Sequence, residues 1–232
     1  MKNYTHIIFD LDRTLFDFER GAKEALKDLH SIYVAPHSEK SFEEFHTLYK
    51  VINNGLWDEY RRGLIQKEIL RSKRFAMTLE ELNIHKPDIA VQMGDMYVRI
   101  TAEKAYLFPY TLEILEYLKS KYELAIMTNG FKEVQYPKLD RSGIRDYFKY
   151  IFISEEIGVN KPDIKIFNHA VETMNTSAEY CLMVGDDFAV DIEGAANAGI
   201  DQIYFNPALE EGKHELAPTF RIRKLKEMED FL

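Results

Sequence analysis

Two regimes of apolar patterning divide this chain. Short apolar runs, each ending in a polar cluster, occur at Ile7-Ile8-Phe9, Leu124 to Met127, Tyr150 to Ile153, Tyr180 to Val184 and Gln202 to Phe205. Runs this short, bounded by turn formers, read as buried strands. Between them the period lengthens to that of an amphipathic helix: Leu112, Leu115 and Leu118 after Pro109-Tyr110-Thr111, then Ile164, Phe167, Val171 and Met174, then Ile192, Ala195 and Ala196. Strands alternating with helices predict an α/β fold, a parallel sheet with helices on both faces.

The stretch from Phe18 to Ile100 breaks this alternation and reads as helix throughout. Phe18, Ala22, Ala25, Leu26 and Leu29 share one face; Phe42, Phe45, Tyr49 and Ile52 share another, with Ser41 placed to cap it. Gly55 and Gly63 bracket a short piece of mixed polarity, Leu56 to Arg62. The helical period resumes through Ile69, Phe75, Ala76, Leu79 and Leu82, and again at Met93, Met96, Tyr97 and Ile100. The predicted organisation is an α/β core of residues 1–16 and 101–232, with a helical cap of residues 17–100 inserted after the first strand. That cap is expected to stand over the carboxyl edge of the sheet. Near the end, Phe220-Arg221-Ile222 alternates, and Leu225, Met228, Phe231 and Leu232 suit a last packed helix.

At 232 residues and 46% hydrophobic composition, the chain has the material for a sizeable core. Its 30 basic and 39 acidic residues give a formal charge of -9, which disfavours non-specific binding to nucleic acid or an anionic membrane. The lone Cys181, inside an apolar run, is expected to pack as a small hydrophobe. Met1 to Tyr4 lead straight into a strand, and no apolar run is long enough to span a bilayer. A cytoplasmic protein, monomer or homodimer, acting on a small molecule is the expectation.

The chemistry lies at the strand ends. Asp10 and Asp12 follow the first apolar run, Thr128 and Asn129 the second, and Asp186 and Asp187, with Asp191 close by, the fourth. In a parallel sheet these carboxyl ends lie side by side and face one crevice. Crowded carboxylates persist only with a cation, a shared proton or strong donors. Oxygen donors without histidine or cysteine at metal spacing suit a hard ion such as Mg²⁺. Lys161, ahead of Pro162, can bring positive charge to a phosphate. Taken alone, Asp12 and Thr14 could instead merely cap a following helix, and a lysine before proline is commonly a solvated side chain.

Together these clusters resemble the haloacid dehalogenase superfamily of phosphohydrolases. Asp10-Leu11-Asp12-Arg13-Thr14 matches its first motif, Thr128 its second, Lys161 its third, and Gly185-Asp186 with Asp191 its fourth. The resemblance implies a Rossmann-like core and an aspartyl-phosphate mechanism. Asp10 would be the nucleophile and Asp12 the general acid and base, protonated in the first step. Mg²⁺ would be held by Asp10, the Asp12 backbone carbonyl and Asp186, with Asp187 or Asp191 in support. Thr128 and the amides of Leu11, Asn129 and Gly130 would bind phosphoryl oxygens, and Lys161 would offset their charge. Dehalogenase members lack the second aspartate, so Asp12 favours phosphoester chemistry. Arg13 departs from the small residue common at its position, which puts the loop geometry in question.

More narrowly, Asn53 to Tyr60 with Gly63 and Ile65, Thr128 to Phe131, and Ser154 to Val159 resemble the bacterial pyrimidine 5'-nucleotidases. That implies pyrimidine or non-canonical nucleoside monophosphates as substrates. Trp57 and Tyr60 could stack a base or pack between cap helices, where Leu56 and Leu64 are also core candidates; Phe16 and Phe18, just past the catalytic loop, could be hinge packing or substrate contacts. The rivals are a small-metabolite phosphatase acting on phosphoglycolate or a sugar phosphate, a phosphoglucomutase, and a non-catalytic module binding phosphoryl ligands or a partner protein.

Overall fold

The computed structural model describes residues 2–209 and 215–232. Among them six strands form one parallel sheet: β1 (His6–Phe9), β2 (Glu123–Thr128), β3 (Tyr150–Ile153), β4 (Cys181–Gly185), β5 (Asp201–Phe205) and β6 (Phe220–Ile222). The helices are α1 (Phe18–Leu29), α2 (Phe42–Arg61), α3 (Lys67–Glu81), α4 (Pro87–Glu103), α5 (Thr111–Lys119), α6 (Lys132–Ser142), α7 (Ser154–Ile157), α8 (Ile164–Thr173) and α9 (Glu193–Asn197).

The strands lie in the order β3-β2-β1-β4-β5-β6. The order therefore reverses at β1, where Phe9 stands level with Ile126 of β2 and Val184 of β4. A residue leaving β1 emerges at the switch point where open α/β sheets bind ligands. Alternate residues serve opposite faces. Ile7 and Phe9 pack with Ile114, Leu115 and Leu118 of α5. Ile8 packs with Ile166, Phe167 and Ala170 of α8 and Ala195 of α9. Because both faces are covered, β1 is buried at every position and apolar from Ile7 to Phe9. Cys181 is buried at the start of β4, where burial pushes its thiol up to about 11, so it serves as a small hydrophobe.

The alternating tail adds β6 as an edge strand paired with β5. The last helix is a 3-10 turn, Leu225–Asp230, whose threefold period puts Leu225 and Met228 on one buried side.

The chain divides into two compact units, Met1–Phe18 with Ala105–Leu232, and Glu19–Lys104. In the second, Ser41 caps α2 through a reciprocal box: its hydroxyl accepts from the Glu44 amide at 3.3 Å, and the Glu44 carboxylate accepts from the Ser41 amide at 2.9 Å. Contrary to the sequence reading, α2 does not break at Gly55. One interior glycine costs about 1 kcal/mol, too little to stop a helix of 20 residues with a buried face. Gly63, at φ +70°, takes the left-handed turn beyond the end of α2. Leu56 is buried, but Leu64 lies past the helix and is 60% exposed, so only the first is a core residue.

The buried face of α3 also differs from the expected one. It consists of Leu70, Arg74, Phe75, Thr78 and Leu79, while Ile69 and Ala76 face outward. Arg74 can occupy a core position because aromatic faces receive its charge. Its guanidinium lies 4.6 Å from the Tyr97 ring and donates to Asn53 Oδ1 at 3.1 Å. Around it Tyr49 and Phe75 stack at 5.1 Å, and Phe75 meets Tyr97 at 5.6 Å.

Candidate active site

Asp10 leaves the end of β1, where its amide donates to the Val184 carbonyl at 2.8 Å. Asp186 follows β4, and Asp191 sits in a single wide helical turn, Phe188–Ile192, leading into α9. One oxygen from each of Asp10, Asp186 and Asp191 lies within 4.8 Å of the others. Into this group projects Lys161, from the loop ahead of α8. Its buried ammonium donates to Asp10 Oδ1 and to Asp191 Oδ1, each at 2.7 Å.

Burial disfavours every charge here. It raises Asp10 above the usual carboxylate range, with Lys161 pulling the other way and Asp12 adding to the rise. Asp191 is pushed up to about 7 by burial, against the attraction of Lys161. Asp186 rises well above normal through burial and the nearby Asp10 and Asp191, countered by Arg13. Burial also works against the charge of Lys161, but Asp10 and Asp191 outweigh it and its pKa goes up. Three carboxylates around one ammonium leave an excess of buried negative charge. An oxygen-only donor set with that excess fits a hard divalent cation.

Local sequence explains how each group is held. Gly185 permits the approach of Asp191: a β-carbon there would lie 2.4 Å from Asp191 Cβ. Of the two supporting candidates, Asp191 joins Asp10 and Asp186, whereas the Asp187 carboxylate caps the following turn, accepting from the Val190 amide at 3.1 Å. Thr14, fully buried, donates to Asp186 Oδ1 at 3.3 Å. Arg13 has φ +70°, in the left-handed region that glycine adopts most readily. It supplies positive charge that bears on Asp186.

On the β2 side, Thr128 Oγ1 accepts from the Gly130 amide at 3.0 Å and from Gln135 Nε2 at 3.1 Å. Accepting both leaves the hydroxyl its own hydrogen to donate. The Gly130 amide, expected to face phosphoryl oxygens, is thus turned to Thr128, and the Leu11 amide donates to the Asp10 carboxylate. The Asn129 side chain clamps the backbone of Lys161, accepting from its N–H and donating to its carbonyl, both at 2.9 Å.

Two residues of the site were not foreseen from the sequence. Gln135 and Lys138, one turn apart on α6, both reach the Asp12 carboxylate. Lys138 Nζ donates to Oδ1, and Gln135 Nε2 donates to Oδ2 at 2.7 Å. The available signal was two polar residues inside the buried stripe of α6, which also holds Val134 and Leu139. Phe16 and Phe18 turn out to line the lysine, their ring centres 4.6 and 5.7 Å from its ammonium. Trp57 and Tyr60 lie half-buried on α2 in the helical unit, ring centres 5.6 Å apart and nearly perpendicular.

Residues 4–199 match the family model of the haloacid dehalogenase-like hydrolases. The chain belongs to that family. Within it, the HAD-hydrolase YfnB of Bacillus subtilis is 33% identical over 229 residues, covering 98% of this chain and 95% of the relative. A crystal structure of YfnB bound to magnesium superposes with a TM-score of 0.90 at 31% identity, covering 100% of this chain and 99% of that one. The pyrimidine 5'-nucleotidase YjjG of Escherichia coli is 33% identical over 227 residues, covering 97% of this chain and 96% of the relative. A glyceraldehyde 3-phosphate phosphatase of Methanothermobacter thermautotrophicus is 31% identical over 213 residues, covering 90% and 88%. As a family member, this hydrolase shares its parallel-sheet fold and a buried acidic cluster suited to a metal. No helix among the described residues is long and apolar enough to cross a membrane.

Proposed function

We propose that this hydrolase is a Mg²⁺-dependent phosphomonoesterase, acting in the cytoplasm through an aspartyl-phosphate on Asp10. The observation that carries the reading is the pairing of Asp10, buried against Lys161, with a second carboxylate, Asp12, two residues on. A binding module has no need of both. In the first displacement an oxygen of Asp10 bonds to phosphorus and the bond to the leaving oxygen breaks, that oxygen taking a proton from Asp12. In the second, water attacks phosphorus while Asp12 removes its proton, and phosphate departs with the Asp10 carboxylate restored. The Lys161 ammonium and the Thr128 hydroxyl offset charge on the phosphoryl oxygens as it builds. Asp10, Asp186 and the Asp12 backbone carbonyl, supported by Asp191, would hold Mg²⁺. Bound there, the ion would supply Lewis acidity toward the phosphoryl group and neutralise the crowded carboxylates.

The substrate we infer is a nucleoside 5'-monophosphate, pyrimidine or non-canonical. Similarity to YjjG over nearly the whole chain supports this, as does the Trp57–Tyr60 pair, which offers a planar base aromatic partners. Similarity to the glyceraldehyde 3-phosphate phosphatase supports a second reading, a phosphatase of small phosphorylated metabolites. Phosphate release from nucleoside monophosphates, sugar phosphates and p-nitrophenyl phosphate, with Mg²⁺ and with chelator, tests both. The nucleotidase reading expects magnesium-dependent release concentrated on pyrimidine monophosphates; release confined to sugar phosphates would replace it with the second. Asp10→Asn is expected to abolish turnover without unfolding the protein, and full residual activity would refute the nucleophile.

A further inference from the structure

The contacts of Asp12 are unusual for a group that must pass protons to and from water and substrate. Both oxygens are already engaged by one helix: Oδ1 by the Lys138 ammonium, Oδ2 by the Gln135 amide at 2.7 Å. The two donors also hold each other, Lys138 Nζ donating to Gln135 Oε1 at 3.2 Å. Lys138 has a side chain only 2% exposed, while the carboxylate it holds is 26% exposed. Placing an ammonium under cover costs several kcal/mol of desolvation. Here the faces of Phe16 and Phe18 and the charge of Asp12 compensate it. Gln135 in turn donates to Thr128 Oγ1, so a continuous line of hydrogen bonds runs from the proton-transfer carboxylate to the hydroxyl expected to meet the phosphoryl group. The sequence makes room for this line at Gly130, where a β-carbon would fall 1.7 Å from Gln135 Nε2.

We propose that Lys138 and Gln135 are positioning residues for proton transfer: together they fix the Asp12 carboxylate, and tie its place to that of Thr128, so that it meets the leaving oxygen. The inference rests on the phosphomonoesterase reading above. A fork of two donors from a rigid helix removes rotation about the Asp12 side chain, which loosely held carboxylates lose only on reaching the transition state. Neither residue needs to bond to substrate. Their contribution passes through Asp12 and is felt where Asp12 is needed.

The test is the dependence on leaving group. An alkoxide leaves only with a proton, whereas p-nitrophenolate leaves without one. Because kcat/KM reports steps up to the first irreversible one, departure of the leaving group, it isolates the acid role of Asp12. Lys138→Met keeps the stem between the two rings and removes the ammonium. It is expected to lose about 100-fold in kcat/KM on whichever nucleoside or sugar monophosphate the wild type turns over best. On p-nitrophenyl phosphate the loss should stay below about tenfold, with a folded circular dichroism spectrum at the assay temperature. Equal losses on both substrates would make Lys138 merely structural, and no loss on either would show that Asp12 needs no such support; each overturns the proposal. A wild type inactive on every substrate would instead remove the phosphomonoesterase reading, and this one with it. Should K138M fail to fold, Gln135→Leu, which changes no charge, carries the same comparison with the same expected sign.

Discussion

Asn129 holds Lys161 by its main chain: the amide side chain at the end of β2 accepts from the Lys161 N–H and donates to the Lys161 carbonyl, both at 2.9 Å. The two residues are 32 positions apart, and the clamp sets the lysine on its loop so that its ammonium reaches Asp10 and Asp191 at 2.7 Å.

Replacing Asn129 by alanine leaves a backbone donor and acceptor without partners. Asn129 is only partly buried, so water can reach some of what is lost; the expected cost is about 1 kcal/mol in denaturant unfolding. The effect on catalysis should be larger, about tenfold or more in kcat, because a small displacement of Lys161 takes its charge off the reacting group. Unchanged kcat with reduced stability would show that the clamp serves the fold alone.

Gly130→Ala separates geometry from stability on the other side of the site. The added β-carbon would sit 1.7 Å from Gln135 Nε2 and 2.7 Å from its Cδ, so the far end of that side chain must move and give up its hydrogen bonds. Stability should fall by no more than about 1–3 kcal/mol, the usual range for overpacking. The Gln135 contacts to Asp12 and Thr128 would be lost, so kcat/KM on an alkyl phosphate should drop while a folded circular dichroism spectrum persists. Wild-type kinetics would show that Gln135 contributes nothing through these contacts.

The cap of α2 gives a pH signature. The Lys40 ammonium, then the Ser41 amide and hydroxyl, lower the Glu44 carboxyl from its ordinary 4.5 to about 2. A carboxyl with a depressed folded pKa stabilises the fold above its ordinary value, and the contribution fades as pH falls through the folded one. Trp57, the chain's single tryptophan, lies on this helix and reports its unfolding. The gap in urea midpoint at low salt between wild type and Glu44→Gln, followed by Trp57 fluorescence, should hold steady above about pH 5 and close toward pH 2. A gap independent of pH over that range would remove the capping carboxylate from the account.

Much of the fold was legible because its signals are local. A run such as Ile7-Ile8-Phe9 is apolar on both faces, which only a strand covered on both sides requires. Ser41 with Glu44 spells a helix start in four residues. Where the sequence reading went astray, a long-range contact outweighed a local preference. Gly55 stays within α2 because the helix is held by its buried face, and Arg74 points inward because the Tyr97 ring of α4 and the Asn53 oxygen of α2 receive its charge.

The sequence by itself determined which polar residues end which strands, and hence that Asp10, Thr128 and Asp186 share one edge: parallel strands in register bring their carboxyl ends together whatever the loops do. Only the tertiary structure decided what those residues touch. It set Asp191, and not Asp187, beside Asp10 and Asp186. It turned the Gly130 amide to Thr128 and brought Lys138 across 126 positions to Asp12. The reason is physical: strand and helix periods are written into neighbouring residues, whereas the partner of a buried charge is chosen by the packing of elements remote in sequence, and leaves no periodic trace along the chain.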